Sequence, residues 1–166
     1  MTIDLKLMSG RELLRLYGDV LEALREKNIV KTANNPVADY AELLVCRALG
    51  LRQQANSNKG FDAEDPTTGE RYEIKARRRT VHNVRPTRLS PIRNLEEQHF
   101  QFLVVVQFNP DFTVERAVRL PWGAIQFVSS NSRHVSGRIV SMGDAVWDRP
   151  DALDITERLR AVETAI

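Results

Sequence analysis

Apolar residues recur at helical spacing through Leu13, Leu16, Tyr17, Val20, Leu21 and Leu24, which predicts an amphipathic helix from about Gly10 to Lys27. Ser9-Gly10-Arg11-Glu12 stands before it in the order of a capping box. Asn34-Asn35-Pro36 then offers an N-cap followed by proline at the first helical position, opening a second helix that Gly50 stops. Val37, Ala41, Leu44, Val45 and Ala48 form its apolar stripe. Glu42 lies at the stripe's edge, where an acid either reaches inward or stays an exposed helix charge.

Beyond Gly60 the period changes to two. Short runs at Phe61–Glu64 and Glu70–Ala76 flank Pro66-Thr67-Thr68-Gly69, in which proline pre-sets φ and glycine tolerates a positive one, so a hairpin is predicted. Alternation sends Glu73 and Lys75 to one face and Tyr72, Ile74 and Ala76 to the other, with Asp62 facing Glu73. Pro86 and Pro91 make Val81–Arg93 an irregular connection, open to movement as a flap. A helical turn over Asn94–His99 leads to a buried strand, Phe100–Phe108, and a return strand, Phe112–Leu120. A short helix follows from Pro121 to Val128, with Trp122, Ile125 and Phe127 as core anchors. Ser129–Ser132 reads as a polar connector, Arg133–Val140 and Met142–Trp147 as edge strands. Asp151 caps a last helix to about Ala165 that packs through Ile155, Leu159 and Val162 and carries an Asp154–Arg158 pair.

This order implies one α/β domain over residues 1–166: a helical part at about 9–50, a hairpin and mixed sheet at about 60–147, and a terminal helix at about 151–165. A composition of 42% hydrophobic and 28% charged residues suits one full core. MTIDLKLM has no basic stretch leading into an apolar run, nothing approaches a membrane span, and the single Cys46 fits a reducing compartment, so a cytoplasmic location without membrane contact is expected. Cys46 and the scattered His82, His99 and His134 have no zinc-ligand spacing, and the glycines form no nucleotide-binding loop, so no nucleotide cofactor is expected.

Net charge is only +2, yet Lys75, Arg77, Arg78, Arg79, Arg85, Arg88 and Arg93 follow one another without an intervening acid. Such a basic ribbon, with Lys59 before the hairpin, suits a phosphodiester backbone. It begins at the hairpin where Asp62 and Glu73 repel each other unless a cation lies between them, and a hard ion such as Mg²⁺ takes oxygen ligands of this kind.

Asp62 followed by Glu73-Ile74-Lys75 resembles the PD-(D/E)xK nuclease superfamily, with Phe61 where the motif's proline would stand. NNPVADYAELLVCRALG, then NSNKGFD and EIKARRR, is also similar to a family of small uncharacterised bacterial proteins placed in that superfamily, over about Leu13–Thr80. The resemblance implies a restriction-endonuclease-like three-layer fold, a mixed central sheet flanked by helices. It implies Mg²⁺, with Mn²⁺ as a substitute, held by Asp62, Glu73 and the Ile74 carbonyl with help from Glu42. It casts Lys75 as catalytic and DNA as the substrate. A homodimer would account for cutting both strands, though no motif specifies one. A silent nucleic-acid-binding protein or an interaction module of the same fold is the alternative.

Overall fold

The computed structural model describes residues 3–54, 60–83, 88–132, 134 and 137–166. Helix α1 (Gly10–Glu26) starts on the expected capping box: the Glu12 N–H donates to the Ser9 hydroxyl, and the Ser9 N–H donates to the Glu12 carboxylate at 2.7 Å. Helix α2 (Val37–Leu49) begins one residue later than expected. The Pro36 carbonyl accepts the first helical bond, from Tyr40, which makes Pro36 the N-cap. The Asn35 side chain accepts the Val37 N–H at 3.1 Å in support. Gly50 ends the helix at φ 68, in the left-handed region that glycine occupies without strain.

Strands β1 (Arg52–Gln53), β2 (Ala63–Glu64) and β3 (Arg71–Arg78) run antiparallel in turn, with Ala63 opposite Tyr72. The Asp65 carboxylate accepts the Thr67 and Thr68 N–H groups and Gly69 takes φ 73, closing the predicted turn. Within the basic connection, Leu89 and Ile92 are buried, and β4 (Ile92–Arg93) belongs to a second sheet. A 3-10 turn at Leu95–Glu97 precedes β5 (Phe102–Phe108), which lies parallel to β3, and β6 (Val114–Pro121) returns beside it.

The second half departs further from its pattern. A 3-10 turn at Trp122–Ala124 and helix α3 (Ile125–Val128) occupy the expected helix; Ile125 is buried, but Phe127 is exposed beneath the Arg149 guanidinium. Ser129–Ser132 is strand β7, paired with β8 (Gly137–Val140), because a partner's ladder overrides the low strand propensity of Ser-Ser-Asn-Ser. Within Met142–Trp147 lies helix α4 (Asp144–Trp147), which buries Val146. Asp151 caps nothing: its carboxylate takes two bonds from Arg149. Strand β9 (Leu153–Asp154) intervenes, and helix α5 (Thr156–Glu163) starts with Asp154 accepting the Thr156 N–H. Arg160 pairs with Glu157, in place of the expected Asp154–Arg158 contact.

Among the described residues, the main sheet is mixed and six-stranded, ordered β1-β2-β3-β5-β6-β9, and the second is β4-β8-β7. Strand β5 feeds two cores. Val104, Val106 and Phe108 face α2 and α5 with Tyr72, Ile74, Leu44 and Leu159, whereas Leu103 and Val105 face the second sheet, α3 and α4. One flanking layer is thus helical as expected; the other is mainly a small sheet.

Candidate functional site

The short ladder of β2 ends at Ala63, which leaves the side chain of Asp62 free to bond backbone. The Asp62 N–H still donates to the Tyr72 carbonyl, and its own carbonyl turns to the Gln54 N–H. Its Oδ2 takes the next place in the ladder, accepting the Ile74 N–H at 2.7 Å. An extended residue points its N–H and C=O to the same side, so the Ile74 carbonyl faces the edge occupied by the Asp62 carboxylate.

Glu73 and Lys75 project from β3 on the face opposite Tyr72 and Ile74, where Lys75 Nζ lies 2.5 Å from Glu73 Oε1. Their side chains are 13% and 20% exposed. Burial, and then the Glu73 charge, push the Asp62 carboxyl up to about 7; the Ile74 N–H and Lys75 pull the other way without prevailing. Burial works to lower the Lys75 pKa, but Glu73, Asp62 and Glu42 outweigh it and hold it above its ordinary value. Lys75 is therefore a cation at neutral pH.

Glu42 leans toward the hairpin but is already engaged. Its carboxylate meets Lys31 Nζ at 3.2 Å and Gln53 Nε2 at 2.9 Å, while Lys31 also donates to the Gln54 carbonyl. Among the described residues, no three His, Cys, Asp or Glu side chains converge tightly enough to cage an ion. The Cys46 thiol nearby is pushed up to about 12, by burial first and then by Glu42, and is inert as a nucleophile.

The arginines of the basic ribbon separate. Arg77 is exposed and donates through Nε to the Arg88 carbonyl. With Arg88, Asn35, Thr80, Asn83 and Ser90 it lines a cavity of about 680 Å³ at the C-terminal end of β3. Arg78 also reaches this cavity, but its guanidinium lies over the Phe112 ring and donates to the Pro110 carbonyl. Arg79 turns into the protein and pairs with Glu115, its Nε buried with no partner among the described residues. Arg93 is exposed on β4, apart from that cavity. Lys59 and Arg85 lie outside the described residues.

Pattern reasoning missed two neighbours. Lys31 reaches Glu42 from a loop, a contact with no sequence periodicity behind it. His99 packs on Gly60, two residues before Asp62: a Cβ on Gly60 would lie 2.7 Å from the His99 ring. The only signal was a glycine at that point, which takes φ 71. Among the described residues, no helix is long and apolar enough to cross a membrane. Compared with known proteins, the chain matches no family model and no curated protein, so what this site can do rests on its own geometry.

Proposed function

We propose that the chain is a Mg²⁺-dependent endonuclease that hydrolyses DNA phosphodiester bonds, with Mn²⁺ as a substitute ion and a fold of the restriction-endonuclease type. The observation that carries this reading is the Asp62 carboxylate, which accepts the Ile74 N–H at 2.7 Å on the edge that the Ile74 carbonyl faces; burial and Glu73 push its pKa up to about 7. A carboxyl so destabilised in its charged form, beside a second one, calls for a cation. Two carboxylates and a carbonyl are hard oxygen donors that fit a small divalent ion, so Asp62, Glu73 and Ile74 would hold it. Glu42 joins them only by releasing Lys31 and Gln53. When bound, the ion supplies a Lewis acid for the phosphoryl oxygen and an acidified water.

The protein's own groups do the remaining work. Without the ion, Asp62 is about half protonated near pH 7, with the proton on Oδ1 because Oδ2 accepts the Ile74 N–H, and binding the ion would displace that proton. Lys75 is a donor, not a base, and steadies the negative charge that grows on the phosphoryl group. Arg77 and Arg88, exposed at the neighbouring cavity, hold backbone phosphates.

A second reading is favoured by the closed pairing of Glu73 with Lys75 and Glu42 with Lys31. Each of these acids already has a cation, as suits a nucleic-acid-binding module without cleavage. Incubation of supercoiled and linear DNA with purified protein in Mg²⁺, Mn²⁺ or EDTA separates the two. The nuclease reading expects metal-dependent nicking that is lost in Asp62→Ala and Glu73→Ala while DNA binding remains. DNA binding by folded protein without cleavage in either metal would favour the second reading. Cleavage retained by both variants would remove this site from consideration.

A further inference from the structure

Helix α1 has a strongly apolar face, yet Leu21 is its only buried residue. Leu14 is 74% exposed, Tyr17 51% and Val20 47%. Beside the C-terminal half of the helix, an apolar groove of about 700 Å³ separates Val20 and Leu24 from Pro36, Tyr40 and Phe112 on the body. A capped helix that leaves this much apolar surface in water is incomplete by itself.

We propose that the groove receives the α1 helix of a second copy of this chain, antiparallel, with the two-fold axis level with the Gly18–Asp19 bond. Leu13, Tyr17, Val20 and Leu24 are spaced by four, three and four residues, the seam of a two-helix contact. About that axis Leu13 comes level with the partner copy's Leu24 position, and Tyr17 with its Val20 position, so the seam is complementary to itself, as a two-fold interface requires. Charge selects the direction. Arg11 and Arg15 against Glu12 give the N-terminal half a net +1, and Asp19, Glu22 and Glu26 against Arg25 give the C-terminal half a net −2. Antiparallel packing sets each half against its opposite and opposes the helix dipoles; parallel packing sets like against like. The helix's negative balance also argues against an anionic membrane as the occupant. This inference stands independently of the nuclease reading.

The test uses the whole chain. Sedimentation equilibrium from about 1 to 200 μM spans micromolar association. The mass should rise toward twice that of one chain, and Tyr17→Glu and Val20→Glu, at exposed positions, should return it to one with the circular dichroism unchanged. Direction is read by oxidative cross-linking in a Cys46→Ala background. At Tyr17→Cys the two sulfurs sit only about 5 Å apart along the axis, and a disulfide should form; at Leu13→Cys they sit about 16 Å apart, and none should. Mixing Leu13→Cys with Leu24→Cys should restore the cross-link. A single-chain mass at every concentration, a larger mass unaffected by both glutamates, or equal cross-linking at Tyr17→Cys and Leu13→Cys would each overturn the proposal.

Discussion

Asp62 sets stability against chemistry. Its carboxyl titrates at about 7 in the fold against an ordinary 3.8, so the folded chain binds that proton more tightly than the unfolded one. Its contribution is therefore fully present below about pH 4 and is lost as pH rises toward 7. Asp62→Asn keeps an oxygen for the Ile74 N–H and removes the charge. It should stabilise the protein at pH 8 by about 1–2 kcal/mol, with little gain at pH 4, as read by thermal melts across that range. Melting curves that shift equally at both pH values would mean that Asp62 is ionised throughout. At Lys75 the charge itself is at issue, because Lys75→Met keeps the stem and removes the ammonium. Under the nuclease reading single-turnover cleavage should fall by about 10²–10³ while Mg²⁺ affinity is retained. A rate within about threefold of the parent would leave Lys75 only balancing Glu73.

At the scale of elements, β3 divides its arginines between solvent and protein. If the proposed DNA binding holds, the exposed Arg77 and the neighbouring Arg88 would meet phosphates, so changing both to Gln should lower the log–log salt slope of DNA binding by about 0.9 for each phosphate left without its arginine. Arg79→Gln should leave that slope alone and cost about 1–2 kcal/mol of stability, because it strips Glu115 of its cation. Titrations of binding against salt, together with denaturant melts of the same variants, distinguish the two roles. The hairpin that gathers Asp62, Glu73 and Lys75 was legible because its turn chemistry and period of two act within about a dozen residues. The fates of Arg78 and Arg79 were not, since Pro110, Phe112 and Glu115 lie more than thirty residues along the chain.

Across the whole molecule, the two cores share strands β5 and β6. Leu103 and Val104 are adjacent on β5 and point into opposite cores, so neither core can open without disturbing the other. Unfolding should therefore be a single transition, with tryptophan fluorescence, which reports the second core through Trp122 and Trp147, superimposing on far-UV circular dichroism. Leu103→Ala should lower that one transition by about 2–5 kcal/mol rather than split it. Separate midpoints for the two signals would show that the small sheet melts independently.

What the sequence determined by itself is what near neighbours decide. The capping box at Ser9, the stop at Gly50, the turn at Pro66–Gly69 and the alternation of β3 depend on groups a few residues apart. Tertiary structure decided whatever depends on distant partners. Ser129–Ser132 became a strand because Gly137–Val140 lies alongside it, and α5 starts late because Leu153–Asp154 is taken up by β6. Lys31 meets Glu42 through the packing of its loop against α2 and the end of β1. The raised pKa of Asp62 belongs to the same class, since desolvation is a property of the surroundings and no residue carries it in its own side chain.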